Sequence, residues 1–157
     1  MQHRMKTRQL TEEQIKGLLL KSEVGCLTTL NADGTPYVTP IHFLYKDGLV
    51  YFHGLPKGQK IANIQARPEI SMTVYQMEEL MLDQKGQPCD TNTKYQSVVL
   101  SGLASIIEDL SLKKEILTGI VAKYTPALNA AAMSDAMIKA TAVVEIKCRG
   151  LTGKYYD

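Results

Sequence analysis

Hydrophobic and polar residues alternate along the chain with two different periods, and each change of period marks a predicted element. Apolar residues at helical spacing predict a helix over Glu12–Lys21, which Thr11 and Gln14 begin as a capping box. From Val24 the period changes to two. The strands that this second pattern predicts, joined by tight turns, are Val24–Leu30, Tyr37–Tyr45 and Leu49–His53. Three consecutive antiparallel strands exclude a doubly wound α/β sheet.

The rest of the chain continues both patterns. The predicted elements are a short helix at Gln59–Gln65, strands at Glu69–Gln76 and Ser97–Ile107, a helix at Leu112–Tyr124, a helical piece at Leu128–Lys139 and a strand at Thr141–Cys148. Residues 83–95 are polar and are predicted to form a long loop, and residues 150–157 a short tail. Pro40 inside the second strand indicates a sheet edge or a bulge, because proline cannot donate to a strand ladder.

Together these elements predict a mainly β fold with flanking helices. Six antiparallel strands, most of them joined by hairpins, with an N-terminal helix and helical insertions, favour a small closed barrel. The chain has 157 residues, of which 45% are hydrophobic and 22% charged, and this composition fits one globular domain over residues 1–157.

Composition and charge exclude several classes of protein. The longest stretch without a charged residue, Tyr95–Ile107, has 13 residues, whereas a membrane span needs roughly 18 apolar ones. The N-terminus lacks the apolar core of a signal peptide. A net charge of +2 with scattered basic residues does not favour nucleic acid. Cys26, Cys89 and Cys148 are too far apart for a disulfide framework or a zinc knuckle, which favours a reduced, cytoplasmic setting.

The stretch from Tyr51 to Lys60 carries the clearest indication of a binding site. A strand leads into a glycine-containing turn and a helix begins just after it, so the free N–H groups and the positive end of the helix dipole suit a phosphate. Lys57 and Lys60 add positive charge, and Gly58 allows close approach of the backbone. The spacing is not that of a Walker A loop. A solvated turn with two surface lysines fits the same residues equally well.

Other polar residues give weaker indications. His53 ends a strand without a second ligand at metal spacing, so no metal site is expected, and His42 is interpreted as a surface or interface residue. The donors and acceptors of Tyr95–Val98 suit a polar ring or a sugar chain, although ordinary residues at the start of a strand would look the same. The chain has no G-x-S-x-G motif, and a hydrolase is therefore not expected.

Several segments, in this order, resemble one known family. Gly25–Thr29, Asp33–Pro40, Leu49–Gly54 and Gly58–Lys60 resemble the FMN-binding split barrels of the pyridoxamine 5′-phosphate oxidase-like family. Tyr95–Val99 followed by Gly102 is similar to its nitroimidazole-resistance (Nim-type) branch. The resemblance runs from about Met5 to Lys154, and its most specific part is the Y-F-H-G block with the G-x-K that follows.

The resemblance implies a homodimer with FMN at the subunit interface. It implies that the backbone of Val38–Phe43 runs along the edge of the isoalloxazine ring, that the lysines contact the phosphate, and that Gln96–Val98 face the flavin at the interface. The cofactor-binding residues that it implies are Val38, Thr39, Pro40, Ile41, His53, Gly54, Lys57, Gly58, Lys60, Gln96, Ser97 and Val98.

One departure from the family pattern bears on the reaction. The first cofactor strand has no arginine, and Arg149 does not stand in the R-x-H pattern of the oxidases proper, so oxidation of pyridoxamine phosphate is not expected. The Nim-type resemblance implies instead a flavin-dependent oxidoreductase for a small planar substrate, with nitroaromatics as one candidate class and His53 as proton donor or substrate contact. A non-catalytic flavin carrier, a haem-binding split barrel and a structural dimer with an empty cleft are the alternatives.

Overall fold

The structure is a computed structural model that describes residues 7–157. Residues 1–6 lie outside the described part of the chain. The absence of a signal peptide was inferred partly from these residues, and the resemblance begins at Met5, so the structure does not bear on either point.

The elements agree with the predicted order and differ in extent. In chain order they are α1 (Glu12–Lys21), β1 (Val24–Leu30), β2 (Pro36–His42), β3 (Leu44–Lys46), β4 (Leu49–Gly54), α2 (Gln59–Ala66), β5 (Glu69–Met81), β6 (Asn92–Ile106), α3 (Leu110–Tyr124), α4 (Asp135–Ala140) and β7 (Ala142–Tyr156), with short 3-10 turns at Pro88–Asp90 and Ala130–Ala132. Both hydrogen bonds of the predicted capping box are present at the start of α1.

The strands form one antiparallel sheet in the order β2-β1-β5-β6-β7-β4-β3. The sheet curls until β2 comes near β4, but no strand pairing joins them. The predicted split-barrel fold, mainly β with flanking helices, is confirmed. The prediction of six strands is wrong, since the described residues form seven, and the prediction of a closed barrel is wrong because the sheet stays open between β2 and β4.

The extra strand arises because the predicted second strand breaks at Phe43. The N–H of Phe43 donates to Tyr124 Oη at 2.9 Å, and its carbonyl accepts from Lys123 Nζ at 3.0 Å. Two side chains from the end of α3 therefore bond both backbone groups that a strand ladder would use. Pro40 does not break the strand. It lies within β2 at the edge of the sheet, one of the two positions that its missing N–H predicted.

Strands β5, β6 and β7 are longer than predicted. The predicted loop at residues 83–95 is confined to residues 82–91, because Met81 pairs with Asn92 and Leu80 with Thr93. The predicted tail is the second half of β7 and pairs with β6 as far as Tyr156. Both regions have polar or mixed side chains on both faces, so the alternation that predicts a strand is missing although the backbone is paired. The predicted helical piece at Leu128–Lys139 is a 3-10 turn followed by α4.

Buried residues form two clusters, one on each side of the curved sheet. The larger cluster fills the inside of the sheet, where α1 places its three buried apolar side chains, Ile15, Leu18 and Leu19. The smaller cluster packs α3 and α4 against the outside of β4 and β7. The two helices thus cover only the end of the sheet near β3, and the outer face of β2, β1, β5 and β6 carries exposed residues such as Val38, Tyr75 and Val99.

The contact between α3 and Phe43 gives a first prediction. We expect Tyr124→Phe to lower the free energy of unfolding by about 1–3 kcal/mol, because the variant leaves the N–H of Phe43 without its partner. Urea denaturation at matched protein concentration measures the change. Lys114→Gln, at an exposed position on α3, is the control and should change the free energy by about 0.5 kcal/mol or less. Equal effects of the two substitutions would contradict this account of the strand break.

Candidate functional site

A seam opens where the sheet fails to close, between the edge of β2 at Val38–His42 and the end of β4 at Phe52–Gly54. On one side β2 pairs with β1, and no strand of the described chain pairs with its other edge. Pairing between β3 and β4 ends at Tyr51, so Phe52–Gly54 have β7 on one side only. Unpaired strand edges present backbone N–H and C=O groups to whatever lies beside them. On the β2 side, a cavity of about 260 Å³ is lined by Val24, Pro40, Ile41 and His42.

The start of α2 lies beside the seam and has no cap. Its N-cap residue, Gly58, has φ 138° and ψ 167°, a conformation that is essentially confined to glycine. No side chain caps the N–H groups of the first turn, and the space that a Cβ on Gly58 would enter is empty to 4 Å. The first N–H groups of this eight-residue helix are therefore open to an anion, with the positive end of the helix dipole behind them.

The structure places Lys60 at the seam, whereas Lys57 is exposed in the loop before α2. Lys60 Nζ lies 5.2 Å from the centre of the Phe52 ring and 4.0 Å from the position of a Cβ on Gly54. Partial burial lowers the pKa of Lys60, and within residues 7–157 no carboxylate forms an ion pair with it. Lys60 is thus the cation positioned for an anion at α2.

Two histidines meet at the same seam. Partial burial lowers the pKa of His53 below its ordinary value of 6.5, and the nearby charges of His42 and Lys60 lower it further. His42 stacks on Tyr124, with ring centres 4.6 Å apart and an interplanar angle of 17°. His42 was interpreted only as a surface or interface residue. One signal for a place at the seam was available: His42 lies on the exposed face of β2, two residues after Pro40.

Residues Gln96–Val98 do not belong to the seam of the same chain. On one side β1 and β5 separate β6 from β2, and on the other Ser97 pairs with Lys154, ten residues along β7 from Val144, the partner of Phe52. Val98 is buried in the core, and Gln96 donates to Glu78 at 3.0 Å. Ser97 is different: its side chain is 6% exposed and its hydroxyl has no hydrogen-bond partner within the described chain. A buried hydroxyl without a partner is costly unless water, a ligand or another chain completes it.

The chain belongs to the pyridoxamine 5′-phosphate oxidase family, whose model matches residues 11–155. The family membership that the motifs predicted is therefore confirmed. No curated protein shows significant similarity to the chain. None of the helices in the described part of the chain is long and apolar enough to cross a membrane.

Solved structures share the fold at low sequence identity. A candidate 5-nitroimidazole antibiotic resistance protein from Bacteroides thetaiotaomicron is 24% identical, with a TM-score of 0.82 over 94% of this chain and 86% of that one. The flavocytochrome Anf3 from Azotobacter vinelandii is 24% identical, with a TM-score of 0.86 over 100% and 72%. An FAD and haem binding protein from Mycobacterium smegmatis is 17% identical, with a TM-score of 0.83 over 96% and 74%.

The lowered pKa of His53 predicts how stability depends on pH. As the pH falls below about 6.5, the unfolded chain takes up the proton before the folded protein does, so the folded state loses stability until the pH passes the lower folded pKa. We expect His53→Gln to lose less stability than the unmodified protein between about pH 8 and pH 5. Urea denaturation across this range measures the free energy of unfolding of both proteins. The difference between the two proteins at about pH 8 serves as the baseline. An equal or steeper loss in the variant would contradict the prediction.

Proposed function

We propose that the protein is an FMN-binding flavoprotein, and that it acts as an FMN-dependent oxidoreductase on a small planar substrate, with nitroaromatics as the first class to test. The observation that carries the proposal is the pairing of an uncapped helix N-terminus and the unpartnered Lys60 with an unpaired strand edge. The helix N-terminus and Lys60 suit a phosphate. The unpaired strand edge suits a flat ring whose edge carries donors and acceptors. We also propose a single domain and a cytoplasmic location, which the three free cysteines support.

The residues present fit FMN. The phosphate would lie at the first turn of α2, where partial burial of Lys60 strengthens its attraction for an anion. Lys57 would add charge from the loop. The ring would lie along β2, where the backbone of Val38–Ile41 has a free edge, with His53 and Gly54 on the other side of the seam.

When bound, FMN would supply the electron transfer, and this chain would orient the ring and handle protons. The free edge of β2 would hold the ring by backbone hydrogen bonds. Because its pKa lies below 6.5, His53 is mostly neutral at pH 7 and offers one N–H donor and one free ring nitrogen. A bound phosphate would raise this pKa again, so hydrogen-bonding substrate contact and proton donor both stay proposed roles for His53. Both were open from the sequence.

We further propose a homodimer, in which the outer face of the sheet meets a second copy. The strand register places Val38, Val24, Tyr75 and Val99 on one face, and all four are exposed. Apolar side chains grouped in this way are typical of protein–protein contacts. A second copy would also bring Ser97, which cannot reach the seam of its own chain, towards the flavin of its partner.

Haem binding is the second candidate function, and one observation favours it. The sequence offered no second ligand near His53, whereas the structure places His42 within electrostatic range of it. The absorbance of the purified protein separates the candidates, because flavin gives a yellow preparation and haem a red one. A pure flavin carrier is distinguished by reducing the loaded protein without oxygen and adding a nitroaromatic compound. An oxidoreductase is then reoxidised faster than free reduced FMN, and a carrier is not.

The phosphate site gives a prediction for binding. We expect the protein to bind FMN more tightly than riboflavin, and Lys60→Gln to weaken FMN binding by roughly 10–100-fold, since a hydrogen bond to a charged group contributes about 1.5–3 kcal/mol. Quenching of flavin fluorescence measures both affinities. Lys114→Gln, at an exposed position on α3, is the matched control and should leave them unchanged. If the two variants bind FMN equally well, Lys60 does not contact the phosphate.

The dimer gives a separate prediction. Val99→Lys should produce a monomer in analytical ultracentrifugation, because it places a charge in the centre of the apolar outer face. It should also weaken FMN binding, although the seam lies three strands away in the same chain. Ala122→Lys, on the exposed side of α3, is the control and should stay dimeric. A flavin-loaded monomer of the unmodified protein would overturn the proposed interface.

A further inference from the structure

Asn63 is a buried amide in the middle of α2, where the helical pattern would accept an apolar residue. Its side chain is 3% exposed, between the buried Ile61 and Ile64. Asn63 Nδ2 donates to Thr29 Oγ1 and to Asn31 Oδ1, each at 3.0 Å. Its Oδ1 accepts from Gln59 Nε2 at 2.8 Å. Both polar atoms of the amide are therefore bonded.

The bonds of Asn63 join the two halves of the proposed flavin site. Gln59 is the first residue of α2, and its Nε2 also donates to Asn31 Oδ1 at 3.2 Å. Thr29 Oγ1 donates to the carbonyl of Tyr37, in β2, at 3.4 Å. The amides of Asn31, Gln59 and Asn63 thus form a closed triangle, which links the phosphate end of α2 to the strand whose free edge would hold the ring.

The start of this helix is held by core packing and by the amide triangle. Ile61, its third residue, is buried in the main core, but apolar packing is non-directional. Gly58 provides no side-chain cap, and glycine has more backbone freedom than any other residue. At the opposite end, the Arg67 side chain donates to the carbonyl of Ala32 at 3.2 Å. The amide triangle therefore adds the directional contacts that fix the first turn relative to β1.

Stability alone does not account for a buried amide at this position. Replacing a hydrogen-bonded buried polar group and its partners by apolar groups is often close to neutral, whereas a fully bonded polar network fixes one geometry. Backbone N–H donors hold an anion only when they point at it from hydrogen-bond distance. A displacement of about 1 Å weakens the interaction strongly. Fixing the first turn of α2 relative to β2 sets the separation between a phosphate and a ring.

We propose that Asn63 is a positioning residue that holds the first turn of α2 on the flavin phosphate, and that it sets the preference of the protein for FMN over riboflavin. The proposal rests on the proposed function, because it assumes that the phosphate lies at α2. Asn63 does not contact the ligand itself and acts through Gln59 and the helix backbone.

The test compares the dissociation constants of FMN and riboflavin for the full-length protein. Asn63→Leu should reduce the ratio of the riboflavin constant to the FMN constant by about tenfold, with riboflavin binding changed by about twofold or less. Gln65→Leu removes an exposed amide from the same helix without touching the triangle and should keep the ratio. Gln59 is also exposed, and Gln59→Ala removes the bonds that join the first turn to the triangle. Asn63 keeps its bonds to Thr29 and Asn31 in this variant, so the protein should still fold while the ratio falls.

The possible outcomes separate this inference from the proposed function. If the unmodified protein binds riboflavin as tightly as FMN, the phosphate site itself is wrong. If it prefers FMN and Asn63→Leu weakens both ligands by the same factor, Asn63 has only a structural role and the inference is overturned. If Asn63→Leu does not fold, Gln59→Ala decides, and an unchanged ratio in that variant overturns the inference.

Discussion

The open seam of the sheet depends on how the last turn of α3 holds Phe43. Tyr124 Oη accepts from the N–H of Phe43, and Lys123 donates to its carbonyl while also bonding the carbonyl of Ser22 at 2.6 Å. These contacts end β2 at His42 and let the chain turn into β3. With both backbone groups of Phe43 in a ladder instead, one continuous strand would run past this point. The free edge of β2 would then not face the end of β4.

Under the proposed function, the charges around the seam suit a bound anion better than the empty site. Lys60 and His53 have lowered pKa values because they are partly buried, and His42 and Lys60 act on His53 with the same sign. Like charges that share a partly desolvated site are unfavourable on their own. An anion at the start of α2 would reverse this effect, because it would raise the pKa of both groups towards the charged form. The same groups that weaken the free protein in acid would then bind the phosphate.

Local features of the fold could be predicted from the sequence, and distant ones could not. The capping box of α1, the edge position of Pro40 and the turn before α2 are encoded within a few residues. The break at Phe43 depends on Tyr124, 81 residues further along the chain, and no local pattern reveals it. The second half of β7 was missed because Leu151–Tyr156 lack a polar and an apolar face, although their backbone pairs with β6. Pairing of this kind is decided by the partner strand.

In the candidate site, too, local features could be named from the sequence and distant ones could not. Gly58 and Lys60 were recognisable because a strand, a glycine turn and a helix follow one another directly, whereas the unequal roles of Lys57 and Lys60 depend on where each side chain lies. Ser97 is a further case: its hydroxyl is buried and unpartnered among the described residues, and two strands, β1 and β5, separate it from β2. One chain leaves that hydroxyl unsatisfied and the sheet face around it exposed. In the proposed dimer, a second copy with a ligand between the two chains would satisfy both conditions at once.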